Sequence, residues 1–254
     1  MKITFLGTGT SSGVPVLTCK CEVCQSLDFR DKRLRVSVLI QHDNLNIVID
    51  TGPDFRQQAL SSNLSHLDAV IFTHEHKDHT AGLDDIRPFN YFSGLKHIPI
   101  YAHLRVIKQL KQEYFYAFQE NIYPGVPLIT CCEVSNEEFF INELKIIPIN
   151  VLHHKLQVFG YRFGDFTYIT DANYISETEI EKIRGTKILV LNALQRTPHI
   201  SHYNLNEALA IAEQIGAEQT FFTHISHKLG LHREVEQELP EGINLAFDGL
   251  SFII

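Results

Sequence analysis

Between Ala69 and Leu83 the chain reads AVIFTHEHKDHTAGL, and no other segment narrows the choice of fold as much. The apolar run Ala69–Thr73 reads as a buried strand, and His74, Glu75, His76, Lys77, Asp78 and His79 follow it directly. Side chains alternate in an extended segment, so His74 and His76 can reach one ion together. Asp78 and His79 begin the next helix, where a turn aims them at a second ion nearby. Four nitrogen and oxygen ligands within six residues suit zinc, manganese or iron. A lone histidine is more often a surface or core residue. The specific signal is His-x-His-x-Asp-His at the end of an apolar strand. Composition agrees: 14 histidines in 254 residues is an unusual supply of the commonest metal ligand.

Elsewhere the chain reads as strands alternating with helices. Lys2–Leu6, Val36–Gln41 and Leu45–Ile49 are short β-branched runs, with a hairpin turn at His42-Asp43-Asn44. Phe55–Ser61 reads as a helix, and Val106–Phe118 has good helix formers and an apolar face. Leu144–Ile149, Phe159–Phe163 and Phe166–Thr170 read as strands, the last two joined by a hairpin at Gly164-Asp165. Lys187–Leu191 and Gln219–Phe222 flank a helix at Asn204–Ile215, which carries Leu205, Ala208, Leu209 and Ala212 on one stripe and stops at Gly216. Asn244–Phe247 and Leu250–Ile254 close the chain as strands. Such alternation favours α/β layers. No linker, charge block or short repeat divides the sequence, so residues 1–254 read as a single domain. The stretch Tyr101–Thr130, with Tyr114, Phe115, Tyr116, Phe118 and Tyr123, matches no motif; it reads either as a lid or substrate wall, or as core and subunit contacts.

The histidine segment resembles the signature motif of the metallo-β-lactamase superfamily. The resemblance implies an αββα sandwich with metals at one edge of its two sheets. It also implies a histidine after a later strand, a bridging aspartate, and a histidine near the end. The chain offers them in that order: His153 or His154 after IIPINVL, Asp171 after FTYIT, and His224 after TFFT. HHKLQVFGYRF fits the family's His-Gly-x-Leu pattern with His153 first, which leaves His154 at the small-residue position. The implied ligands are therefore His74, His76 and His153 for one ion and Asp78, His79 and His224 for the other, with Asp171 bridging. Asp50, in NIVIDTGPD, matches a recurring aspartate of the fold; it either orients ligands and loops or caps a helix entry.

Three of the five cysteines crowd into Cys19, Cys21 and Cys24. With no secretion signal, such spacing suggests metal rather than disulfides. His227, three residues after His224 in THISH, is the natural fourth ligand of a closed, structural zinc site. Cys131 and Cys132 have no spacing partner and read as ordinary residues. The succession GTGTSSGVP, CxCxxC, HxHxDH and THxxH resembles the PhnP-like, phosphoribosyl cyclic phosphodiesterase branch of the superfamily, from Gly7 to the terminal FDGL. The resemblance implies manganese or zinc in the catalytic pair, zinc in the cysteine site, and a catalytic histidine at His202 that protonates the leaving group. Asp78 and Asp171 would hold the metals and orient the nucleophile.

The formal charge of −8 gives the chain no global attraction for nucleic acid or anionic membrane. No apolar run is long enough to span a bilayer, and MKITFLGTGTSSG lacks a signal peptide's apolar stretch. The expectation is a cytoplasmic hydrolase of a small-molecule phosphodiester, with neither membrane nor nucleic acid as partner; a homodimer is compatible with the aromatic stretch. RNA-processing nucleases, thioesterases and lactamases share HxHxDH, and a PqqB-like cofactor-pathway protein resembles the chain around its cysteines. Asp171 at the bridging position, where many lactamases carry cysteine, weighs against a lactamase. Retention of every catalytic ligand position argues for an active hydrolase. Arg87 and Lys228 are candidate phosphate contacts, and GTGTSSG, without the Lys-Ser/Thr of a P-loop, reads as a tight turn near the metals.

Overall fold

The computed structural model describes residues 1–119 and 125–254, so Tyr123 lies outside the described residues. The first sheet is drawn from β1 (Lys2–Gly7), β2 (Ser37–His42), β3 (Leu45–Ile49), β4 (Ala69–Ile71), β5 (Ile98–Ala102) and β6 (Ile129–Glu133). The second is drawn from β7 (Phe139–Ile141), β8 (Leu144–His153), β9 (Leu156–Phe163), β10 (Phe166–Tyr168), β11 (Tyr174–Ile175), β12 (Ile188–Asn192), β13 (Gln219–Thr223) and β14 (Ile243–Leu245). The last strand, β15 (Ser251–Ile253), returns to the first sheet beside β1. Strand order is β15-β1-β2-β3-β4-β5-β6 in one sheet and β11-β8-β9-β10-β12-β13-β14 in the other, with β7 paired to β8.

Each sheet starts as an antiparallel meander, β1-β2-β3 or β8-β9-β10. Each continues as a parallel array, through β4, β5 and β6 or through β12, β13 and β14. Parallel neighbours need crossovers, and helices supply them. After α1 (Glu22–Gln25), these are α2 (Phe55–Ser61), α3 (Lys77–Thr80), α4 (Arg87–Phe92) and α5 (Leu104–Glu113) on the first sheet. On the second they are α6 (Glu177–Ile183), α7 (Leu205–Ile215) and α8 (His232–Glu238).

Period-two alternation sorts the side chains into layers. Ile3, Phe5, Ile47, Ile49 and Ile71 meet Tyr161, Phe163, Phe166 and Tyr168 between the sheets. Leu39, Val48 and Val70 face the other way, against Phe55, Val106 and Leu110 of the helices. Ile149, Leu189, Leu191 and Phe222 pack beneath Ile180, Ala208, Ala212 and Val235 on the far side. The result is the αββα sandwich of the metallo-β-lactamase fold, with both faces of both sheets covered.

The hairpin turns fall where expected, with Asp43 at φ +52° and Gly164 at φ +58°. Asn204 and Glu207 form a reciprocal cap at the start of α7, and Gly216 ends it at φ +66°. The helix expected to reach Phe118 stops at Glu113, and Phe115–Phe118 continue as a 3-10 turn. Aromatic residues are weak helix formers, and here Tyr114 and Tyr116 leave the helix to donate to Thr80 O and Asp84 Oδ1. Strands β5 and β6 and helices α6 and α8 carry no expectation from the sequence. Pro99 disguises β5, but β4 pairs only with Ile100 and Tyr101, so the missing N–H falls outside that ladder.

Candidate metal centre

The site lies where strands of both sheets end. Behind β4, Thr73 and Asp50 brace the histidine loop. Asp50, fully buried, accepts from Thr73 N (2.8 Å) and Thr73 Oγ1 (2.8 Å) and from His79 Nδ1 (2.7 Å). These bonds answer the alternative left open above: Asp50 orients ligands, and the residue preceding α2 is Asp54. The turn at Gly52 backs so closely on the loop that a Cβ there would lie 2.0 Å from Asp78 O.

Tautomers follow from the partners. A carboxylate or carbonyl only accepts, so His79 carries its proton on Nδ1, as does His153, whose Nδ1 donates to Ser201 O at 2.8 Å. Thr73 Oγ1 spends its proton on Asp50 and therefore accepts from His74 Nδ1 at 3.0 Å. In all three rings Nε2 is left with a lone pair. His74 Nε2, His79 Nε2 and both nitrogens of His224 are buried without a hydrogen-bond partner. Buried nitrogens left without a partner in this way are what a cation would satisfy, taking the place of a proton where the ring carries one.

The rings of His74 and His76 lie 4.5 Å apart, and that of His153 lies 5.8 and 5.2 Å from them. Asp78, His79, Asp171 and His224 form a second group whose ligand atoms all fall within 4.8 Å of one another. Asp171 also belongs to a group with His153 and His202. Its Oδ2 lies 3.3 Å from His79 Nε2, and its Oδ1 lies 3.1 Å from His224 Nε2 and 3.0 Å from His202 Nε2. One carboxylate thus stands between the donor sets. The seven residues expected around the dinuclear centre come together, with His202 beside them.

Burial opposes charge at Asp78 and Asp171, but the histidines around them outweigh it and hold both carboxyls well below the usual range. Burial likewise disfavours charge on His224, yet Asp171 and Asp78 lift it to about 9. His74 and His153 are pulled down by burial, and His202 falls to about 4 for the same first reason. The cage is therefore two carboxylates among imidazoles of two kinds: His74, His153 and His202 are kept neutral by burial, whereas His79 and His224, where the carboxylates outweigh burial, hold a proton that a cation would displace.

His154, by contrast, is exposed at φ +56°, with its N–H held by Asn173 Oδ1 at 2.7 Å. The pattern's small-residue position is thus a left-handed turn that tips His154 away from the cage. A cavity of about 550 Å³ opens on the site between His76, His153 and the His154-Lys155-Leu156 tip on one side and Ile200-Ser201 on the other. Arg87 does not belong to this wall. Its guanidinium pairs with Asp84 at 2.6 Å and lines a separate cavity beside Pro88 and Tyr91. The orienting groups Thr73 and Ser201 escape sequence reasoning, and for Ser201 the acting atom is a backbone carbonyl that no residue type advertises.

A second donor set lies on the same turn as His224. Cys19, Cys21 and Cys24 Sγ approach His227 Nδ1 at 3.3, 3.3 and 3.5 Å. A backbone hydrogen bond from Cys24 is the main cause holding the Cys21 thiol down near 6, while burial pushes Cys24 up to about 11. Three sulfurs around one nitrogen fit a tetrahedral zinc site. Cys131 and Cys132 sit in β6, away from this cluster. The Gly7–Gly13 turn does lie beside the centre, because Thr10 N donates to Ile225 O, next to His224.

Among the described residues no helix is long and apolar enough to cross a membrane. Residues 45–225 match the beta-lactamase superfamily domain. An octanoyltransferase of Porphyromonas gingivalis is 40% identical over 257 residues, covering 100% of this chain but 52% of that protein. Coenzyme PQQ synthesis protein B of Rhodopseudomonas palustris is 31% identical over 144 residues, 51% of this chain and 45% of that protein. The chain thus spans about half the length of these curated relatives. The crystal structure of a diphosphatase from the PhnP family superposes with a TM-score of 0.93 at 41% identity, covering 100% of this chain and 97% of that one. The chain belongs to the metallo-β-lactamase superfamily, in its PhnP-like branch.

Proposed function

We propose that this chain is a dinuclear-metal hydrolase, a phosphodiesterase acting on small and cyclic phosphodiesters. The observation that carries the reading is the Asp171 carboxylate, which belongs both to the group with Asp78, His79 and His224 and to the group with His153 and His202. The 41% identical PhnP-family diphosphatase supports phosphorus rather than carbon as the reacting centre. His74, His76 and His153 would hold one ion, Asp78, His79 and His224 the other, and Asp171 both. Manganese or zinc suits this nitrogen and oxygen set, and zinc suits Cys19, Cys21, Cys24 and His227. A pair of divalent cations supplies Lewis acidity and lowers the pKa of water towards about 7.

The chain's own residues do the remaining work. Asp50, Thr73 and Ser201 fix the imidazole tautomers. Asp78 and Asp171 keep negative charge beside the reacting centre. His202, almost buried, carries a proton on Nε2 against Asp171 Oδ1 and is the proton donor nearest the cage. The net charge of −8 supports a small-molecule substrate over nucleic acid.

Comparing kcat/KM for bis(4-nitrophenyl) phosphate, a ribose cyclic phosphate, an octanoyl thioester and a cephalosporin tests the reading with metal-loaded protein. The two phosphodiesters should be turned over best. Acyl chemistry is the second reading, favoured by the name of the 40% identical relative; fastest turnover of the thioester would select it and sink the first.

A further inference from the structure

We infer that α5 and the aromatic turn behind it are a buttress that sets the register of the His74–His79 loop, with Arg105 as its positioning residue. The inference rests on the cage proposed above and assigns a role to the aromatic stretch that matches no motif. His74, His76 and Asp78 contribute to the cage, and the residues between them, Glu75 and Lys77, engage α5 instead. Arg105, in the first turn of α5, donates from Nε to Glu75 Oε1 at 2.6 Å. Glu113, at the helix end, lies 2.5 Å from Lys77 Nζ. Just beyond, Tyr114 donates to Thr80 O at 2.9 Å and Tyr116 to Asp84 Oδ1 at 2.7 Å.

The two struts have opposite polarity. Reversing the loop against the helix would set Glu75 towards Glu113 and Lys77 towards Arg105, like against like, and sliding it would bring one of those like pairs together. The charges therefore admit one register, and that register aims the alternate side chains at the cage. Arg105 does more than Glu113 because its guanidinium is a fork. Nη2 donates to Gln157 O at 2.6 Å, in β9, one residue past the start of the strand whose hairpin carries His153. One side chain thus ties together the two segments that supply His74, His76 and His153. The start of α5 is fixed in turn: His103 Nδ1 accepts from Arg105 N at 3.1 Å, and its ring packs 5.8 Å from that of Phe159 in β9. These bonds hold the backbone between ligands rather than the ligands themselves, so the 10- to 100-fold loss of cation affinity typical of a lost ligand partner is the upper bound for their removal.

The test is calorimetric titration with Mn²⁺ of wild type, Arg105→Ala and Arg105→Lys stripped of weakly held ions, together with the zinc content of the protein as purified and hydrogen exchange of residues 74–80. Arg105→Ala should weaken one cage ion by up to roughly 10- to 100-fold, leave the cysteine-site zinc in place, and speed exchange in the loop. Arg105→Lys, with one point of attachment where the guanidinium has two, should fall between, and Glu75→Gln in the Arg105→Ala background should add no further loss. Unchanged affinity with unchanged loop exchange overturns the buttress. So does equal weakening of the cage and the cysteine site, which reports a loosened fold. If Arg105→Ala does not fold, Arg105→Lys and Glu75→Gln alone carry the comparison. If wild type takes up no ion pair, the cage reading fails; loop exchange still decides the buttress.

Discussion

Asp50→Asn separates holding the fold from holding the metal. Asp50 Oδ1 accepts from the Thr73 backbone N–H, which can only donate, so the amide oxygen of asparagine must face it. The amide NH₂ then faces Thr73 Oγ1 and His79 Nδ1. His79 must accept there, and its proton moves to Nε2, the nitrogen that faces Asp78 and Asp171 at 3.3 Å. A lone pair becomes a donor, pointed at the position a cation would take. Loss of such a partner typically lowers metal affinity about 10- to 100-fold, or about 1.4–2.7 kcal/mol. With cation in excess, that much ligand-induced stabilisation disappears. For a chain of this size the rise in Tm on adding Mn²⁺ should shrink by roughly 3–10 °C. The metal-free comparison should differ in sign. Burial pushes the Asp50 carboxyl up despite the opposing charge of His79 and the hydrogen bonds from His79 and Thr73, and a neutral amide escapes that penalty while keeping three partners. Metal-free Asp50→Asn should therefore melt no lower than wild type. Scanning fluorimetry with and without Mn²⁺ reads both quantities. An undiminished metal-induced shift, or a metal-free variant that melts well below wild type, refutes the tautomer argument.

Three further outcomes are expected. His202→Ala should keep its metal content while kcat falls by roughly 10²–10⁴, less for nitrophenolate than for alkoxide leaving groups; an equal loss for both would remove the acid role. Cys19→Ser should lower zinc content and Tm together, since structural zinc contributes directly to folding, and no change in either would remove that site. His232 is buried, and burial, then the charges of Arg33 and Arg30, hold its imidazole down near 4 against an ordinary 6.5, with Asp31 opposing. The unfolded chain binds that proton first, so stability is full above about pH 6.5 and falls towards pH 4, by at most about 3 kcal/mol. His232→Gln should flatten the pH dependence of urea unfolding in that window; an unaltered slope would show that other groups set it.

How much the sequence reveals follows from how local each signal is. His74, His76, Asp78 and His79 lie within six residues after a strand, so residue types and spacing suffice. His153, Asp171 and His224 each stand alone, and only the family resemblance singles them out. The choice of His153 over His154 turns on a backbone torsion, the positive φ of His154, which no composition reveals. Asp50 stays open between two jobs until its three hydrogen bonds are seen. Arg33 is invisible as well: it is buried, donating to Thr8 Oγ1 and Ala246 O and sharing a hydrogen bond with His232 Nδ1, and these partners are distant in sequence. That network explains why the terminal FDGL belongs with GTGT. Asp248 accepts from Thr8 Oγ1 and Leu34 N, binding the FDGL segment to the turn after the first strand and to the approach to the second.

One regularity joins fold and site. Asp50, Asp171 and His224 have φ of +61°, +58° and +55°, a left-handed backbone that glycine adopts freely and other residues rarely. Each comes at or just past the end of a strand, β3, β10 or β13. Within a strand, side chains can point only to the two faces, and both faces here are filled with apolar packing. A ligand that must reach the sheet edge has to leave that alternation, and one left-handed step does so. Such a step costs on the order of 1 kcal/mol or more per residue. Glycine would remove the cost and the donor together. The step persists because its surroundings are pinned: Asp50 N donates to Ile71 O, Ala172 N to Asn192 Oδ1 and Ile225 N to Thr8 O, at 2.9, 2.7 and 2.9 Å. Backbone strain at three separate strand ends, all converging on one cluster, is what a fold shows when side-chain chemistry rather than packing selects the residue.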